Sequence, residues 1–182
     1  MVTGIIIQAR MTSRRFPGKS MALLAGKPVL QHVIERCKEI CGIDEIVVAV
    51  PYNNSDEIIY LCGELDIKFH QGSEDNVLER FYSAAIFYNL NTIMRITGDC
   101  PLLNPMDCQE VFWRHKDYQQ EYTSNGVDCE MFSFSMLERA HLNATDPYDR
   151  EHVTPWMKRQ VANCVDYPED IERLEKILAR SA

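Results

Sequence analysis

The sequence predicts an α/β fold in which helices flank a mainly parallel β-sheet. Short apolar runs rich in β-branched residues alternate with segments of helical periodicity through the N-terminal half. Strands that alternate with helices form parallel βαβ units, and such sheets are covered on both faces. The length of 182 residues suits one domain with a sizeable core. Because no internal repeat, low-complexity linker or domain boundary is visible, residues 1–182 are expected to form a single domain.

The strands are predicted from apolar runs that end in turn-forming residues. The GIIIQ run after Thr3 has the continuous β-branched character of a strand buried on both faces. The EIVVAV run is a second strand of this kind, and Pro51 ends it. The predicted strands are residues 4–8, 45–50, 67–70, 92–97 and a short strand at 130–132.

The helices are predicted from apolar residues at helical spacing and from residues that favour helix ends. Pro28 stands at the start of the first helix, where proline is favoured. Asn54 is predicted to cap the second, with Glu57 three residues further on. The predicted helices are residues 28–37, 54–65, 76–88, 105–116, 135–143 and 151–160, and a final amphipathic helix begins at 168 and runs to the C-terminus.

Charge and hydropathy exclude several classes of function. The net charge of −8 argues against non-specific binding to nucleic acid or to anionic membranes. No run approaches the roughly 20 apolar residues that a membrane span needs, and the N-terminus lacks the pattern of a signal peptide. The sequence therefore predicts a soluble, cytoplasmic protein with neither a nucleic-acid nor a membrane partner.

The cysteines are scattered, odd in number and without a CxxC pair, so neither a disulfide framework nor a zinc site is favoured. We interpret them as small buried apolar residues of a protein in a reducing compartment, with a redox role as the less favoured alternative. They are Cys37, Cys41, Cys62, Cys100, Cys108, Cys129 and Cys164.

Positive charge is concentrated at the N-terminus. The first 34 residues contain no aspartate or glutamate, yet they carry Arg10, Arg14, Arg15, Lys19 and Lys27. In an acidic protein such an island indicates a local anionic ligand, although a solvated surface patch explains the charge equally well. Most of the island lies in the loop after the first predicted strand, and ligands of open α/β sheets bind beyond the carboxyl ends of the strands.

The composition of this loop favours phosphate bound by side chains. Gly18 is the only glycine between residues 9 and 19, so the loop is neither a Walker loop nor a GxGxxG loop. Backbone amides alone are therefore not expected to hold a phosphate here. Arginine would offer bidentate hydrogen bonds instead, and lysine a point charge.

Residues 8–19 read QARMTSRRFPGK and contain the pattern ARxxSxRxPxK. This pattern resembles the signature of the sugar cytidylyltransferases, which include the enzymes that make CMP-activated KDO and acylneuraminates. It is particularly similar to the spore coat polysaccharide biosynthesis branch, the SpsF-like proteins. The resemblance continues in order through GKP, SEDNVLER, RITGDCPL, DREHVT and VDYPED, which are residues 26–28, 73–80, 95–102, 149–154 and 165–170.

The resemblance implies a three-layer, Rossmann-like nucleotide-sugar transferase fold. It also implies a reaction in which a sugar hydroxyl attacks the α-phosphorus of CTP, pyrophosphate leaves and Mg²⁺ assists. The product would be an acidic or modified sugar activated with CMP for surface polysaccharide synthesis. CTP is the family's usual donor, but the residues themselves do not indicate which base is bound. A homodimer is likewise expected from the resemblance alone.

By matched position, Arg10, Arg15 and Lys19 would bind the triphosphate and stabilise charge on the leaving pyrophosphate. Ser13 would donate a further hydrogen bond, whereas Arg14 occupies a variable position of the motif. The expected nucleotide-binding residues are Gln8, Ala9, Arg10, Ser13, Arg15, Lys19, Asp75 and Asn76.

Residues 73–80 resemble a family motif near the bound nucleotide. A structural alternative explains half of this pattern. In that alternative Asp75 caps a helix, and Glu79 and Arg80 are exposed.

Two carboxylates are expected to bind Mg²⁺. Asp99 follows a predicted strand, Gly98 permits a close approach there, and Mg²⁺ is often bound through one or two carboxylates plus substrate phosphates. The family's second metal-binding carboxylate maps onto Asp166, for which capping the helix that Pro168 starts is the alternative. In-line attack at phosphorus needs positioning and charge neutralisation rather than a protein nucleophile. The expected catalytic residues are therefore Arg10, Arg15, Lys19 and Asp99.

The acceptor sugar is expected to contact residues of the C-terminal half. Asp128 and Glu130 match a family segment near the acceptor site, and carboxylates commonly hold sugar hydroxyls. Arg150 and His152 lie in a further matched motif, where His152 would contact the sugar or act as a base. A satisfied, partly buried histidine is the alternative for His152.

Relatives of this kind are usually longer, and the difference falls at two junctions, 125/126 and 160/161. Motif order continues across both, which favours segments omitted from this sequence over evolutionary loss, and such segments would be active-site loops. Two other functions compete with the cytidylyltransferase. A glycosyltransferase of related fold usually has a DxD at a strand end, where this sequence reads GDCP. A degenerate, non-catalytic nucleotide-binding protein is supported only by the shortened C-terminal half.

Overall fold

The computed structural model describes residues 1–162 and residues 171, 174, 175 and 179. The strands in this part of the chain are β1 Thr3–Gln8, β2 Leu23–Leu24, β3 Lys27–Pro28, β4 Glu45–Pro51, β5 Lys68–Gly72, β6 Thr92–Thr97, β7 Tyr122–Ser124 and β8 Cys129–Ser133. The helices are α1 Val29–Cys37, α2 Asp56–Glu64, α3 Val77–Phe87, α4 Pro105–Asp117, α5 Phe134–Asn143, α6 Pro147–His152 and α7 Pro155–Val161.

A six-stranded sheet in the order β5-β4-β1-β6-β8-β7 forms the centre of the protein. The pairs among β5, β4, β1 and β6 are parallel, and the β6–β8 and β8–β7 pairs are antiparallel. The prediction of a mainly parallel sheet is confirmed. Gln8 at the end of β1 pairs with Ala49 of β4 and Thr97 of β6, so the carboxyl ends of these three strands lie side by side.

The core is divided by the sheet into two apolar clusters. Side chains alternate between the two faces of a strand, so Ile5 and Ile7 of β1 pack with α1, α2 and α4. Ile6 faces the other side, where it packs with Phe81 of α3 and with residues of α5 and α7. Helices therefore cover both faces, which gives the three layers that the sequence analysis expected.

The segment predicted as one helix, 151–160, is two helices, and the prediction of a single one is wrong. Helix α6 ends at His152, and Val153 has φ 70°, a backbone conformation outside the helical region. Helix α7 begins at Pro155. A continuous helix is excluded here, because proline lacks an N–H and its ring would clash with the carbonyl of Glu151.

The predicted cap of α2 is also wrong. Asn54 has φ 56° and lies before the helix, which begins at Asp56. Ser55 occupies the N-cap position, and its Oγ donates a hydrogen bond to the carbonyl of Pro51 at 2.9 Å. The serine hydroxyl is therefore used to hold the helix against the end of β4.

A hairpin of β7 and β8 lies at one edge of the sheet, and β7 is not among the strands predicted from the sequence. In the turn, Asn125 Oδ1 accepts hydrogen bonds from the N–H groups of Val127, Asp128 and Cys129 at 3.0–3.2 Å. The junction at 125/126 lies in this compact turn, and the junction at 160/161 lies in the last turn of α7. That segments are omitted at these two places stays a prediction.

The cysteines of the described residues differ in their exposure. Four of the cysteines are buried, but Cys41 is exposed and Cys100 is partly exposed, so the expectation that all are buried is wrong. Cys164 lies outside the described residues. In the described part of the chain, no helix combines the length and apolar character that crossing a membrane requires.

Candidate active site

A cavity of about 120 Å³ lies at the carboxyl ends of β1 and β6. Gln8 and Ala9 line it at the end of β1, and residues 97–99 line it after β6. Side chains from the loop after β1, from α3 and from α6 complete its walls. The cavity is therefore at the position where parallel α/β sheets bind ligands.

The loop after β1 folds back on itself at Gly18. Gly18 has φ 74°, a left-handed conformation that glycine adopts without strain, and its N–H donates to the carbonyl of Met11 at 2.7 Å. A short 3-10 helix begins at Lys19, and Ser20 Oγ donates to the carbonyl of Arg10 at 3.2 Å. These contacts bring Arg10 and Lys19 to the cavity, which both side chains line.

Lys19 and Asp99 form an ion pair at the cavity. Asp99 is held close to β1 because Gly98 donates its N–H to the carbonyl of Gln8 at 2.8 Å, and a Cβ at Gly98 would lie 2.9 Å from that oxygen. Burial alone would raise the pKa of Asp99, but the hydrogen bond and charge of Lys19 outweigh burial and hold the pKa below its usual value. Asp99 is therefore an ionised carboxylate at neutral pH.

Helix α6 brings a carboxylate and an imidazole to the same cavity. Glu151 Oε1 lies 3.6 Å from Arg10 Nη2, and both side chains are partly exposed, so their attraction is weak. The ring of His152 packs against Tyr148 with 4.3 Å between centroids. Glu151 is a cavity residue that the sequence analysis did not single out, although it lies between Arg150 and His152.

Arg80 is a second cavity residue that the sequence analysis missed, and the alternative in which it is exposed is wrong. Its side chain is 1% exposed and lines the cavity. Nη1 donates to the carbonyl of Ser73 at 2.6 Å. The signal that could have found it is its spacing from Val77 and Ala84, because residues three and four apart share one face of a helix.

The other residues expected to bind the nucleotide lie outside the cavity lining. Asn76, and not Asp75, caps α3, because its Oδ1 accepts from the N–H of Glu79 at 3.1 Å. Asp75 and Arg15 are exposed, and Ser13 is partly exposed. That these residues contact a nucleotide stays a prediction.

Glu130 lies in a buried polar network. It is 6% exposed, and its carboxylate accepts hydrogen bonds from Arg95, from Tyr122 Oη at 2.7 Å and from Thr154 Oγ1 at 2.9 Å. Lys158 Nζ is 2.7 Å away. Burial alone would raise the pKa of Glu130, but the charge of Arg95 and the hydrogen bond from Lys158 outweigh burial and hold the pKa below its usual value. Glu130 therefore joins β8 to β6, β7 and α7, and its contact with an acceptor sugar stays a prediction.

The network reaches the cavity through Arg95. Its Nε and Nη2 donate to Gln8 Oε1 at 3.2 and 3.0 Å, and Gln8 lines the cavity. Asp128 lies in the β7–β8 turn, where its Oδ1 accepts from Asn125 Nδ2 at 2.9 Å. Arg150 donates to the carbonyls at the C-terminal end of α5 and so anchors α6 there. The structure thus gathers Gln8, Ala9, Arg10, Lys19, Asp99 and His152 at one cavity, and Asp128, Glu130 and Arg150 are not part of its lining.

The donors at the cavity are suited to a hard cation. Asp99 presents a carboxylate at the cavity that Arg10 and Lys19 also line, and Mg²⁺ often takes one or two carboxylates while substrate phosphates supply further ligands. Within the described residues, no group of three or more histidines, cysteines or carboxylates is arranged to hold a metal ion by itself. Asp166, the other expected ligand, lies outside the described residues.

Comparison with known proteins gives a consistent result. A family model described as cytidylyltransferase matches residues 4–179. An uncharacterized protein of Methanocaldococcus jannaschii is 39% identical over 158 residues, which are 84% of this chain and 65% of that protein. The spore coat polysaccharide biosynthesis protein SpsF of Bacillus subtilis is 28% identical over 86% of this chain and 70% of its own length. The 3-deoxy-manno-octulosonate cytidylyltransferase 2 of Hydrogenovibrio crunogenus is 30% identical over 85% of this chain and 61% of its own length. The chain therefore spans about two thirds of the length of these relatives.

Solved structures share the fold. A cytidylyltransferase from Leptospira borgpetersenii superposes with a TM-score of 0.78 at 29% identity, over 87% of this chain and 71% of that one. A CMP:2-keto-3-deoxy-manno-octonic acid synthetase complexed with CTP superposes with a TM-score of 0.71 at 17% identity, over 100% of both chains. The second likeness bears on the fold alone. Both agree with the predicted Rossmann-like transferase fold.

Proposed function

Because this chain belongs to the cytidylyltransferase family, we propose that it transfers CMP from CTP to a hydroxyl of an acidic or modified sugar and releases pyrophosphate. The observation that carries the proposal is the cavity where Arg10, Lys19 and Asp99 meet beyond the parallel strands. The relatives support the substrate class, since one is named for 3-deoxy-manno-octulosonate, an acidic sugar. The SpsF relative supports a use of the product in surface polysaccharide synthesis.

The reaction would be an in-line displacement at the α-phosphorus. A sugar oxygen forms a bond to phosphorus, the bond from phosphorus to the pyrophosphate oxygen breaks, and the hydroxyl proton is released. Arg10 and Lys19 would bind triphosphate oxygens and neutralise the charge that develops on the leaving group. Arg15 and Ser13 lie on the outer part of the same loop, so their contact with the nucleotide would require the loop to close on it.

Asp99 and His152 would serve the other partners of the reaction. Asp99 would hold Mg²⁺, which supplies further neutralisation of phosphate charge when it is bound. The hydrogen bond and charge of Lys19 lower the pKa of Asp99 and so favour its ionised form, which is the form that binds a cation. His152 lines the cavity and would accept the proton of the attacking hydroxyl or bind the sugar.

Pyrophosphate release tests the proposed function directly. The purified protein would be incubated with Mg²⁺, each of the four ribonucleoside triphosphates, and a panel of keto-sugar acids that includes 3-deoxy-manno-octulosonate. We expect pyrophosphate only with CTP and an acidic sugar, together with a CMP-sugar detected by mass spectrometry. Transfer of the sugar from an intact nucleotide-sugar, with a nucleoside diphosphate or monophosphate as the leaving group, would favour a glycosyltransferase instead. No pyrophosphate with any triphosphate, alongside retained nucleotide binding, would refute the enzyme and favour a non-catalytic nucleotide-binding protein.

Two further proposals concern location, which rests on charge and hydropathy, and assembly, which rests on the family resemblance. We expect the protein to act in the cytoplasm, where CTP is supplied, and to form a homodimer. Light scattering coupled to size-exclusion chromatography measures the dimer as a particle with the mass of two chains. A particle with the mass of one chain would contradict it.

A further inference from the structure

Arg80 is a buried cation that lacks an anionic partner among the described residues. Its side chain is 1% exposed, and the hydrogen bond that the structure gives it runs from Nη1 to the Ser73 carbonyl, a neutral acceptor. The buried Nε has no hydrogen-bond partner in the described part of the chain. An uncompensated buried charge destabilises a fold. Such a group therefore points to a ligand that is not part of the protein.

The chain positions Arg80 through the turn that precedes α3. A Cβ at Gly72 would lie 2.8 Å from Arg80 Cγ and 3.0 Å from Arg80 Cβ, so glycine at this place makes room for the arginine stem. Ser73 Oγ accepts the N–H of Asn76 at 3.1 Å, and Asn76 in turn caps α3. The turn is therefore fixed by its own hydrogen bonds, and its Ser73 carbonyl holds the guanidinium at the cavity wall.

A second cation faces the same cavity. Arg10 and Arg80 both line it, and burial followed by the charge of Arg10 lowers the pKa of Arg80 to about 10. Arg80 therefore stays protonated at neutral pH, beside a like charge that repels it. The charges of Glu74 and Glu79 act in the opposite direction, but neither carboxylate forms an ion pair with Arg80 in the described part of the chain, and that of Glu74 is already hydrogen-bonded to Thr12. An anion between the two guanidinium groups would relieve both the burial and the repulsion.

We propose that Arg80 is a phosphate-binding residue, which together with Arg10 holds anionic oxygens of the nucleotide's polyphosphate at the cavity. The inference rests on the proposed function, since that function supplies the nucleotide. The free Nε donor and the two adjacent guanidinium groups match the bidentate hydrogen bonding that arginine makes with phosphate. In this role Arg80 binds phosphate oxygens and forms no covalent bond with the nucleotide. The competing anion is the carboxylate of an acidic acceptor sugar.

Calorimetric titration with Mg²⁺ present separates these ligands. The probes are CTP, inorganic tripolyphosphate and cytidine, each without an acceptor sugar. Arg80→Gln is expected to weaken the binding of CTP and of tripolyphosphate by roughly 10- to 100-fold and to leave the affinity for cytidine unchanged. Arg80→Lys is expected to show a smaller loss of affinity. The matched control is Arg139→Gln on α5, which removes the same charge from an exposed pair with Glu121 and should change each affinity less than about twofold.

A thermal melt of the ligand-free protein distinguishes binding from a structural role. Arg80→Met keeps an apolar stem and removes the unpaired charge, so its melting temperature should equal or exceed that of the wild type. A lower melting temperature with unchanged tripolyphosphate affinity would assign Arg80 to structure and overturn the proposal. Equal losses for cytidine and CTP, or an effect confined to the Michaelis constant of the acceptor, would overturn it too.

Tripolyphosphate also separates this proposal from the proposed function. It carries neither base nor sugar, so a loss of its binding on Arg80→Gln supports Arg80 even if the protein turns over no triphosphate. The wild type's pyrophosphate release tests the reaction independently. If the wild type binds neither CTP nor tripolyphosphate, the role of Arg80 is refuted.

Discussion

Lys19 and Asp99 are 80 positions apart in the chain and meet because β1 and β6 end at one edge of the sheet. The motif pattern identified both residues from the sequence. Their direct pairing could not be predicted, because it depends on the Gly18 turn and on how closely Gly98 approaches β1. The exposure of Arg80 is also predicted wrongly from the sequence. Its charge indicates an exposed side chain, whereas its position on the buried face of α3 makes the side chain buried.

Lys19→Ala is expected to lower the rate of pyrophosphate release by roughly 100- to 1,000-fold, since charge on the leaving group would lose a donor. The melting temperature should change little, because the ion pair with Asp99 is partly exposed. Steady-state kinetics and thermal melts measure both. Lys27→Ala is the control, because Lys27 pairs with Glu35 at 2.9 Å outside the cavity lining. Equal activity for the Lys19 and Lys27 variants would contradict the proposed role of Lys19 in stabilising the leaving group.

Glu130→Gln is expected to lower the free energy of unfolding by roughly 3 kcal/mol at pH 7, because Arg95 would lose its buried anion. The pKa of Glu130 in the folded protein lies below the usual 4.5. Its charge therefore stabilises the fold above about pH 4.5, and this contribution is lost as the pH falls through the folded pKa. Urea unfolding should show a difference between wild type and variant that is full at pH 7 and shrinks towards pH 4.

The control for this variant is Glu110→Gln. Glu110 pairs with Arg114 at 3.9 Å on the exposed face of α4, and such pairs contribute little. We expect no pH-dependent difference in its free energy of unfolding. If the Glu130→Gln difference stayed constant between pH 7 and pH 4, Glu130 would not be the ionised group of the network.

At the scale of elements, the sequence predicts those whose signals are local. The apolar runs of β1, β4 and β6 and the spacing in α1 and α3 each lie within one segment, and these elements are found near the expected positions. The short strand β7 has no such pattern, since pairing with β8 across the Asn125 turn determines it. The break at Pro155 was visible in the sequence, but the apolar spacing on either side of it suggested one helix.

Gly98→Ala is expected to disturb the junction of β1 and β6. The new Cβ would lie 2.9 Å from the carbonyl oxygen of Gln8, and a backbone atom in a central strand cannot easily move away. We expect a loss of roughly 1–3 kcal/mol in the free energy of unfolding. Chemical denaturation measures this value.

Gly63→Ala in α2 is the matched control for Gly98→Ala. A Cβ at Gly63 would meet no atom of the described residues within 4 Å. Alanine is preferred over glycine within a helix, so this variant should gain about 0.5–1 kcal/mol. Losses of similar size in both variants would show that close packing at Gly98 is not the cause.

At the scale of the whole molecule, the alternation of strands and helices was sufficient to predict a layered α/β fold. It was also sufficient to place the site beyond β1, because parallel strands have their carboxyl ends in common. It could not show that Asp128 and Glu130 lie outside the cavity lining, since that depends on how the edge hairpin joins the sheet. The carboxylate of Glu130 is used by the network of Arg95 and Tyr122.

The layered core predicts which thiols react. Burial raises the pKa of the Cys37 thiol and raises that of Cys62 to about 11, so the reactive thiolate form is scarce in addition to being shielded. Under native conditions we expect iodoacetamide to label Cys41, which is exposed, and to spare Cys37 and Cys62. Peptide mass spectrometry identifies each site, and labelling in urea is the control. Rapid native labelling of Cys37 would contradict the described packing.

The Lys19–Asp99 ion pair also bears on how the protein discriminates among the anions that surround it in a cell. Free orthophosphate could compensate Lys19 only by leaving the Asp99 carboxylate without its cation, so one favourable contact would replace another. Under the proposed function, a metal-bound polyphosphate would bring an anion for Lys19 and a cation for Asp99, and both charges would remain compensated. Selectivity is a difference between two binding free energies. Because a bound anion would have to displace the Lys19–Asp99 ion pair, this pair would increase the difference in binding free energy between a metal-bound polyphosphate and a metal-free phosphate. The metal-bound polyphosphate would be favoured.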